Sequence, residues 1–166
     1  MTIKVGDKLP EGTLQEFIEV EGNGCSVGPN TFKVEDLVKG KKIAIFALPG
    51  AFTPTCSAKH LPGFVDSAAA LKGKGVDEIV ATAVNDAFVL GAWNKASGSS
   101  DITMLADGNG DFAQALGLTM DGSGFGMGKR GQRYSMIVDD GVVTELNVEA
   151  PGDFNVSSAE HMLGQL

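Results

Sequence analysis

The chain has 166 residues, 43% of them hydrophobic, and 13 Lys and Arg against 21 Asp and Glu give a formal net charge of −8 at pH 7. That length suits one domain, residues 1–166, with a sizeable core, and is short for two. An acidic chain lacks the clustered Lys and Arg that release counterions from phosphates, so no nucleic-acid partner is expected, whereas a small neutral substrate is indifferent to the charge.

The first residues, MTIKVGDKLPEG, carry lysines, acids and a proline where a secretory signal needs an apolar core. No stretch approaches the ~20 apolar residues of a membrane span, so the expected location is cytoplasmic, away from any membrane. TLQEFIEV (13–20) alternates apolar and polar residues as an edge strand does, and EGNGCSVGPN (21–30) reads as a turn-rich loop holding Cys25. KKIAIFAL (41–48) is a short apolar run that suits a strand buried on both faces. CSAKHLPGFVDSAAALKGKG (56–75) has helical spacing, with Pro62 expected to bend the helix and Gly73 and Gly75 to end it.

The alternation then repeats. DEIVATAV (77–84) and ITMLAD (102–107) read as strands, NDAFVLGAWNKASG (85–98) as a helix capped by Asn85 or Asp86, and GDFAQALGL (110–118) as another helix. RYSMIVDDGVVTELNVEA (133–150) gives two strands joined at Asp139-Asp140-Gly141, a hairpin signal. SSAEHMLGQL (157–166) starts with Ser157 or Ser158 as a cap. Strands alternating with helices imply an α/β fold with a central mixed sheet, helices on both faces and an N-terminal strand extension, the arrangement of thioredoxin-like folds.

Two cysteines, Cys25 and Cys56, make no disulfide scaffold, and with two histidines at unrelated spacings they make no zinc site. Cys56 is the candidate for chemistry. It falls in the first turn of the helix after the 41–48 strand, where unpaired N–H groups and the helix dipole favour a thiolate. Pro49 ends the strand and Pro54 precedes the helix, so the loop between them is stiff. Thr53, three residues before Cys56, is either a cap or a hydroxyl turned toward the sulfur or what it attacks. His60 lies four residues after Cys56 on the same helical face, which favours a supporting or packing role over direct catalysis, since cysteine-protease histidines are distant in sequence. Phe52 and Trp93 could wall a pocket or an interface, with core packing as the default.

The spacing P-x-x-x-T-x-x-C, here Pro49, Thr53 and Cys56, is the active-site signature of peroxiredoxins. KKIAIFALPGAFTPTCSAKHLPGF, VNDAFVLGAW, LADGNGDFAQALGL, RYSMIVDDGVV and LNVEAPG all resemble the type II, or peroxiredoxin-5, class, through most of the chain. The resemblance implies that Cys56 attacks a peroxide oxygen and becomes sulfenic acid, while Thr53 and Arg133 of QRYSMIV hold the two oxygens. It also implies a homodimer. The substrates would be hydrogen peroxide and alkyl hydroperoxides, with no cofactor. Fixed donors aimed at the departing oxygen lower such a barrier; Thr53, Arg133 and the Cys56 N–H fit that description.

GMGKRG (126–131) matches G-x-G-x-x-G but precedes a strand instead of opening a helix after one, and Ser123 and Arg130 break a Walker pattern. It reads as a flexible loop delivering Arg133, with Phe125 and Met127 as loop anchors or partner contacts. A dithiol exchanger needs C-x-x-C, and Thr53-Pro54-Thr55-Cys56 lacks the second thiol. At the approximate positions of the family's resolving cysteines the chain has Ala81 and Val156. The expectation is a one-cysteine cycle closed by glutathione with glutaredoxin. Resolution by Cys25 with thioredoxin, or a redox-sensing binding protein with little turnover, are the alternatives.

Overall fold

The computed structural model describes residues 1–18 and 27–166, so Cys25 lies outside the described residues. Strands β1 (Thr13–Ile18), β2 (Val27–Lys33), β3 (Lys42–Ala47), β4 (Glu78–Ala83), β5 (Thr103–Ala106), β8 (Tyr134–Asp139) and β9 (Val142–Val148) form a seven-stranded sheet. Its order is β2-β1-β5-β4-β3-β8-β9. A separate two-stranded ribbon joins β6 (Thr119–Asp121) to β7 (Lys129–Gly131). β3 pairs in parallel with β4 and antiparallel with β8, so the sheet is mixed.

Strand side chains alternate between faces, and every apolar residue of β3 finds a core. Ala44 and Phe46 join Leu61, Phe64, Leu90, Trp93 and Met162 on one face, beneath α2 (Leu61–Gly73), α3 (Ala87–Ser97) and α5 (Ala159–Leu163). Ile43, Ile45 and Ala47 join Val34, Val38, Phe112 and Leu116 on the other, beneath α1 (Val34–Val38) and α4 (Asp111–Leu116). The result is the thioredoxin-like α/β architecture with helices on both faces that the sequence implied.

Several local expectations change. β1 is not an edge strand: β2 covers it, and the residues at 27–30 read as loop belong to β2. Gly28 and Pro29 hid that strand, yet Pro29 is tolerated because β2 is at the sheet edge and the register shifts between Glu16 and Ile18. α1, a single turn with Val34 and Val38 on its buried face, escaped the periodicity because five residues are too few to show it. The run at 126–131 is not simply a loop, since Lys129–Gly131 pairs with Thr119–Asp121. Phe125 there is 83% exposed and anchors nothing within the chain's core.

Caps resolve to one residue each. Asp86 accepts from the Val89 N–H at 2.9 Å and Ser158 from the His161 N–H at 3.1 Å. The neighbours they displaced, Asn85 and Ser157, serve the loops around the site described below. Asp140 and Gly141, at φ 47° and 83°, make the two-residue hairpin turn between β8 and β9.

Candidate active site

The site forms at the C-terminal end of β3, where Leu48 and Pro49 leave the sheet and the chain turns into helix at Pro54. Three contacts fix this loop. The Ala51 N–H donates to Asn85 Oδ1 at 2.9 Å, Thr53 Oγ1 donates to the Gly50 carbonyl at 2.7 Å, and Arg130 Nη1 reaches the Pro49 carbonyl at 3.4 Å. A Cβ on Gly50 would stand 3.2 Å from Arg130 Nη1 and 3.3 Å from Thr53 Cγ2, so a larger residue there would push one of these side chains aside by a few tenths of an ångström. Phe52 holds φ at 63°, a conformation that a bulky residue rarely adopts, and its ring is 57% exposed.

Cys56 opens a π-helical turn, Cys56–His60, closed by the Leu61 N–H on the Cys56 carbonyl. Pro62 explains the wide turn. It has no N–H to return to Ala58, and its ring would press on that carbonyl in an α-helix. Instead of bending the interior of a helix, Pro62 therefore sits in the first turn of α2, directly after the π turn.

The Cys56 side chain is fully buried, and Arg133 Nη2 donates to its Sγ at 3.1 Å. Arg133 stands just before β8, whose Tyr134 pairs with Ala47 at the end of β3; this register carries the guanidinium to the helix start. Its other nitrogen, Nη1, donates to His60 Nδ1 at 2.8 Å. Arginine has no acceptor, so Nδ1 must be unprotonated and the His60 proton sits on Nε2, which donates to the Ser157 carbonyl at 3.0 Å. Phe46, Phe64 and Phe154 surround the imidazole, with ring centroids at 5.0, 5.7 and 5.1 Å. Burial, and then the Arg133 charge, lower the His60 pKa from 6.5 to about 3. His60 is thus a neutral acceptor that orients Arg133, with no lone pair left for the sulfur.

Thr53 and Pro49 lie on the loop that leads into the Cys56 turn, and Thr53 differs from expectation in one respect. Its only hydroxyl proton is given to Gly50, so toward the site it offers lone pairs instead of a donor. Trp93 is buried and donates from its indole to Ser57 Oγ at 3.1 Å, while Phe52 packs against it from outside with centroids 6.5 Å apart. The structure adds Glu149, which the sequence reading passed over inside LNVEAPG. Its Oε1 accepts from the N–H groups of Asn155, Val156 and Ser157 and from Ser157 Oγ, at 2.7 to 2.8 Å. A carboxylate just before a Pro-Gly turn is the sequence signal that could have pointed to it.

The redoxin family matches residues 4–163. Peroxiredoxin-2E-2 of Oryza sativa subsp. japonica, a chloroplastic protein, is 49% identical over 99% of the chain and 73% of its own length. Peroxiredoxin-2B of Arabidopsis thaliana is 45% identical over 99% of the chain and 98% of its own. The crystal structure of reduced Prx3 in complex with hydrogen peroxide, from Vibrio vulnificus, superposes with a TM-score of 0.91 at 51% identity, covering 99% of this chain and 96% of that one. The chain belongs to the peroxiredoxin family. A peroxiredoxin is a thiol peroxidase, an oxidoreductase that reduces peroxides at the expense of thiols and needs no prosthetic group.

Proposed function

We propose that this peroxiredoxin uses Cys56 as its peroxidatic residue, that Thr53 and Arg133 hold the peroxide, and that glutathione with glutaredoxin regenerates it in a one-cysteine cycle. The observation that carries this reading is the 3.1 Å contact between Arg133 Nη2 and Cys56 Sγ. A permanent cation at that distance, together with the free N–H groups of the first helical turn, stabilises negative charge on the sulfur.

The sulfur's electron pair forms an S–O bond to the near peroxide oxygen as the O–O bond breaks. The far oxygen leaves as hydroxide or alkoxide, takes a proton, and departs as water or alcohol. Arg133 meets the charge that grows during this step, and the Thr53 lone pairs accept the peroxide O–H and align it. Pro49 and Pro54 hold the loop in place, and His60 steers Arg133. The product is the sulfenic acid of Cys56, which a first thiol converts to a mixed disulfide with loss of water and a second thiol releases.

Ala81 and Val156, where resolving cysteines are expected, leave Cys25 or an external thiol as resolver, and the external thiol is the reading proposed here. Stopped-flow oxidation of the reduced protein, followed by intact mass, tests the cycle. Fast oxidation lost in Cys56→Ser and kept in Cys25→Ser, with sulfenic acid or a glutathione adduct as product, is expected. A Cys25–Cys56 disulfide as the main product would refute the one-cysteine cycle, and turnover with thioredoxin but not glutaredoxin would refute the proposed reductant. We also place the enzyme in the cytoplasm as a homodimer, with the exposed Phe52 beside the site as part of the contact; sedimentation showing monomers alone rejects that assembly.

A further inference from the structure

We propose that Glu149 is a positioning residue for Arg133, acting through Ser157 and His60, and that its carboxylate sets the tautomer of the His60 ring. The inference rests on the reading of Cys56 and Arg133 given above and extends it to a residue that touches neither peroxide nor sulfur.

The contacts form a closed ring. The Glu149 backbone N–H donates to the Arg133 carbonyl at 3.0 Å, which ties Glu149 to the strand end that carries the guanidinium. Its side chain ties down Ser157 twice, through the Ser157 N–H and Oγ, both at 2.8 Å. The carbonyl of the residue held in this way accepts from His60 Nε2 at 3.0 Å. His60 Nδ1 then takes Arg133 Nη1 at 2.8 Å and closes the ring, leaving Nη2 on the sulfur. Glu149 and Ser157 are both buried, so water does not substitute for these bonds.

Closing a turn does not require a carboxylate that collects three consecutive backbone N–H groups and a hydroxyl on one oxygen. Holding a carbonyl against an imidazole inside an aromatic cage does need such rigidity. If the Ser157 carbonyl drifts, Nε2–H loses its acceptor among Phe46, Phe64 and Phe154, and the proton can move to Nδ1. A protonated Nδ1 faces the Arg133 donor with another donor, the contact breaks, and Nη2 leaves the sulfur. Hydrogen bonding also keeps Glu149 ionised: burial alone raises its pKa, but the Ser157 hydroxyl and the three N–H groups bring it below the ordinary carboxylate value.

The chain has only two histidines, His60 and His161, so nitrogen-15 spectra of the imidazoles resolve each. Reduced wild type and Glu149→Gln are compared by these spectra and by stopped-flow oxidation with hydrogen peroxide. The expected result is a pure Nε2–H ring at His60 in the wild type, a mixed tautomer in Glu149→Gln, and a peroxide rate lower by roughly tenfold or more, as misplacing a reacting group typically causes. Ser158→Ala, which removes only the cap of α5, should lower the urea midpoint and leave both readouts unchanged, separating lost stability from lost positioning. If Glu149→Gln does not fold, Ser157→Ala deletes one of the four bonds and should shift both readouts in the same direction by less. A His60 spectrum that stays as in the wild type overturns the proposal, whatever the rate does, and so does an altered spectrum with a rate within twofold of wild type. Wild-type oxidation no faster than that of a free thiol rejects the role of Cys56 instead, and the histidine spectra still report on the ring.

Discussion

Arg133 has two tasks that only its forked geometry can combine. Nη1 rests on a neutral imidazole and Nη2 on the sulfur, so the guanidinium is held at a fixed angle to Cys56. Lysine supplies the charge but not the planar fork. Arg133→Lys should therefore fold normally and lose on the order of 100-fold in the rate of peroxide oxidation, the size of effect that follows loss of one donor to a developing oxyanion. Stopped-flow comparison checks this, and a loss under threefold would mean that charge alone suffices. Of this set, Pro49, Thr53 and Cys56 were legible because they are close in sequence. Arg133 rested on family resemblance, since nothing local marks a strand-end arginine as special. The meeting of His60 with Arg133 spans 73 positions and that with Ser157 spans 97, and such pairing is written in the topology, not in a spacing. The direction of the Thr53 proton depends on where the Gly50 carbonyl points, which no motif encodes.

At the scale of elements, the strands and helices with full periods were readable and the irregular ones were not. β3, β4, β5, α3 and α4 lie where the apolar patterns put them. β2 was hidden by Gly28 and Pro29, and α1 by its brevity. The π turn at Cys56–His60 was read as plain helix because its cause, Pro62, acts backwards on the residue four positions before it. Restoring that N–H should let an ordinary α-turn form. Pro62→Ala is expected to leave the urea midpoint equal or higher while the peroxide rate falls about tenfold, as the rewound turn rotates Cys56 away from Arg133. An unchanged rate would show that the sulfur's position does not depend on the π turn. Helix α3 offers a separate test of packing. A Cβ on Gly91 would stand 2.9 Å from the Phe17 backbone oxygen and 3.1 Å from its ring, and backbone cannot move aside as a flexible side chain does. Overpacking there costs about 1–3 kcal/mol, and the gain of about 1 kcal/mol from replacing a helical glycine offsets only part of it. Gly91→Ala should thus be destabilising in urea titration, and a stabilised variant would mean that α3 and β1 separate easily.

For the molecule as a whole, the site imposes a condition on stability because it stores a neutral histidine inside one of the two cores. Between pH 6.5 and about 3 the unfolded chain binds a proton at His60 that the folded chain refuses. Stability tied to this residue is therefore complete above pH 6.5 and lost as the pH falls toward 3, by an amount on the order of 5 kcal/mol from linkage. Glu149 acts in the same direction only at lower pH: its folded pKa is depressed, so its contribution is present above the ordinary carboxylate range and fades below it. Asp107 and Glu16 oppose both, since burial raises their folded values and acid then favours the fold. From pH 7 to pH 5 the His60 ring titrates in the unfolded chain alone, and a variant without that ring keeps the same raised carboxylates, so the difference between the two proteins isolates the histidine. Urea midpoints of wild type should drop across that window, whereas His60→Gln, which keeps an amide donor for the Ser157 carbonyl but carries no titrating ring, should start lower and drop less. Equal drops in the two proteins would mean that water reaches the imidazole and that the aromatic cage does not exclude its charged form. The unequal drop that we expect ties the acid limit of the fold to the same ring that aims Arg133 at Cys56.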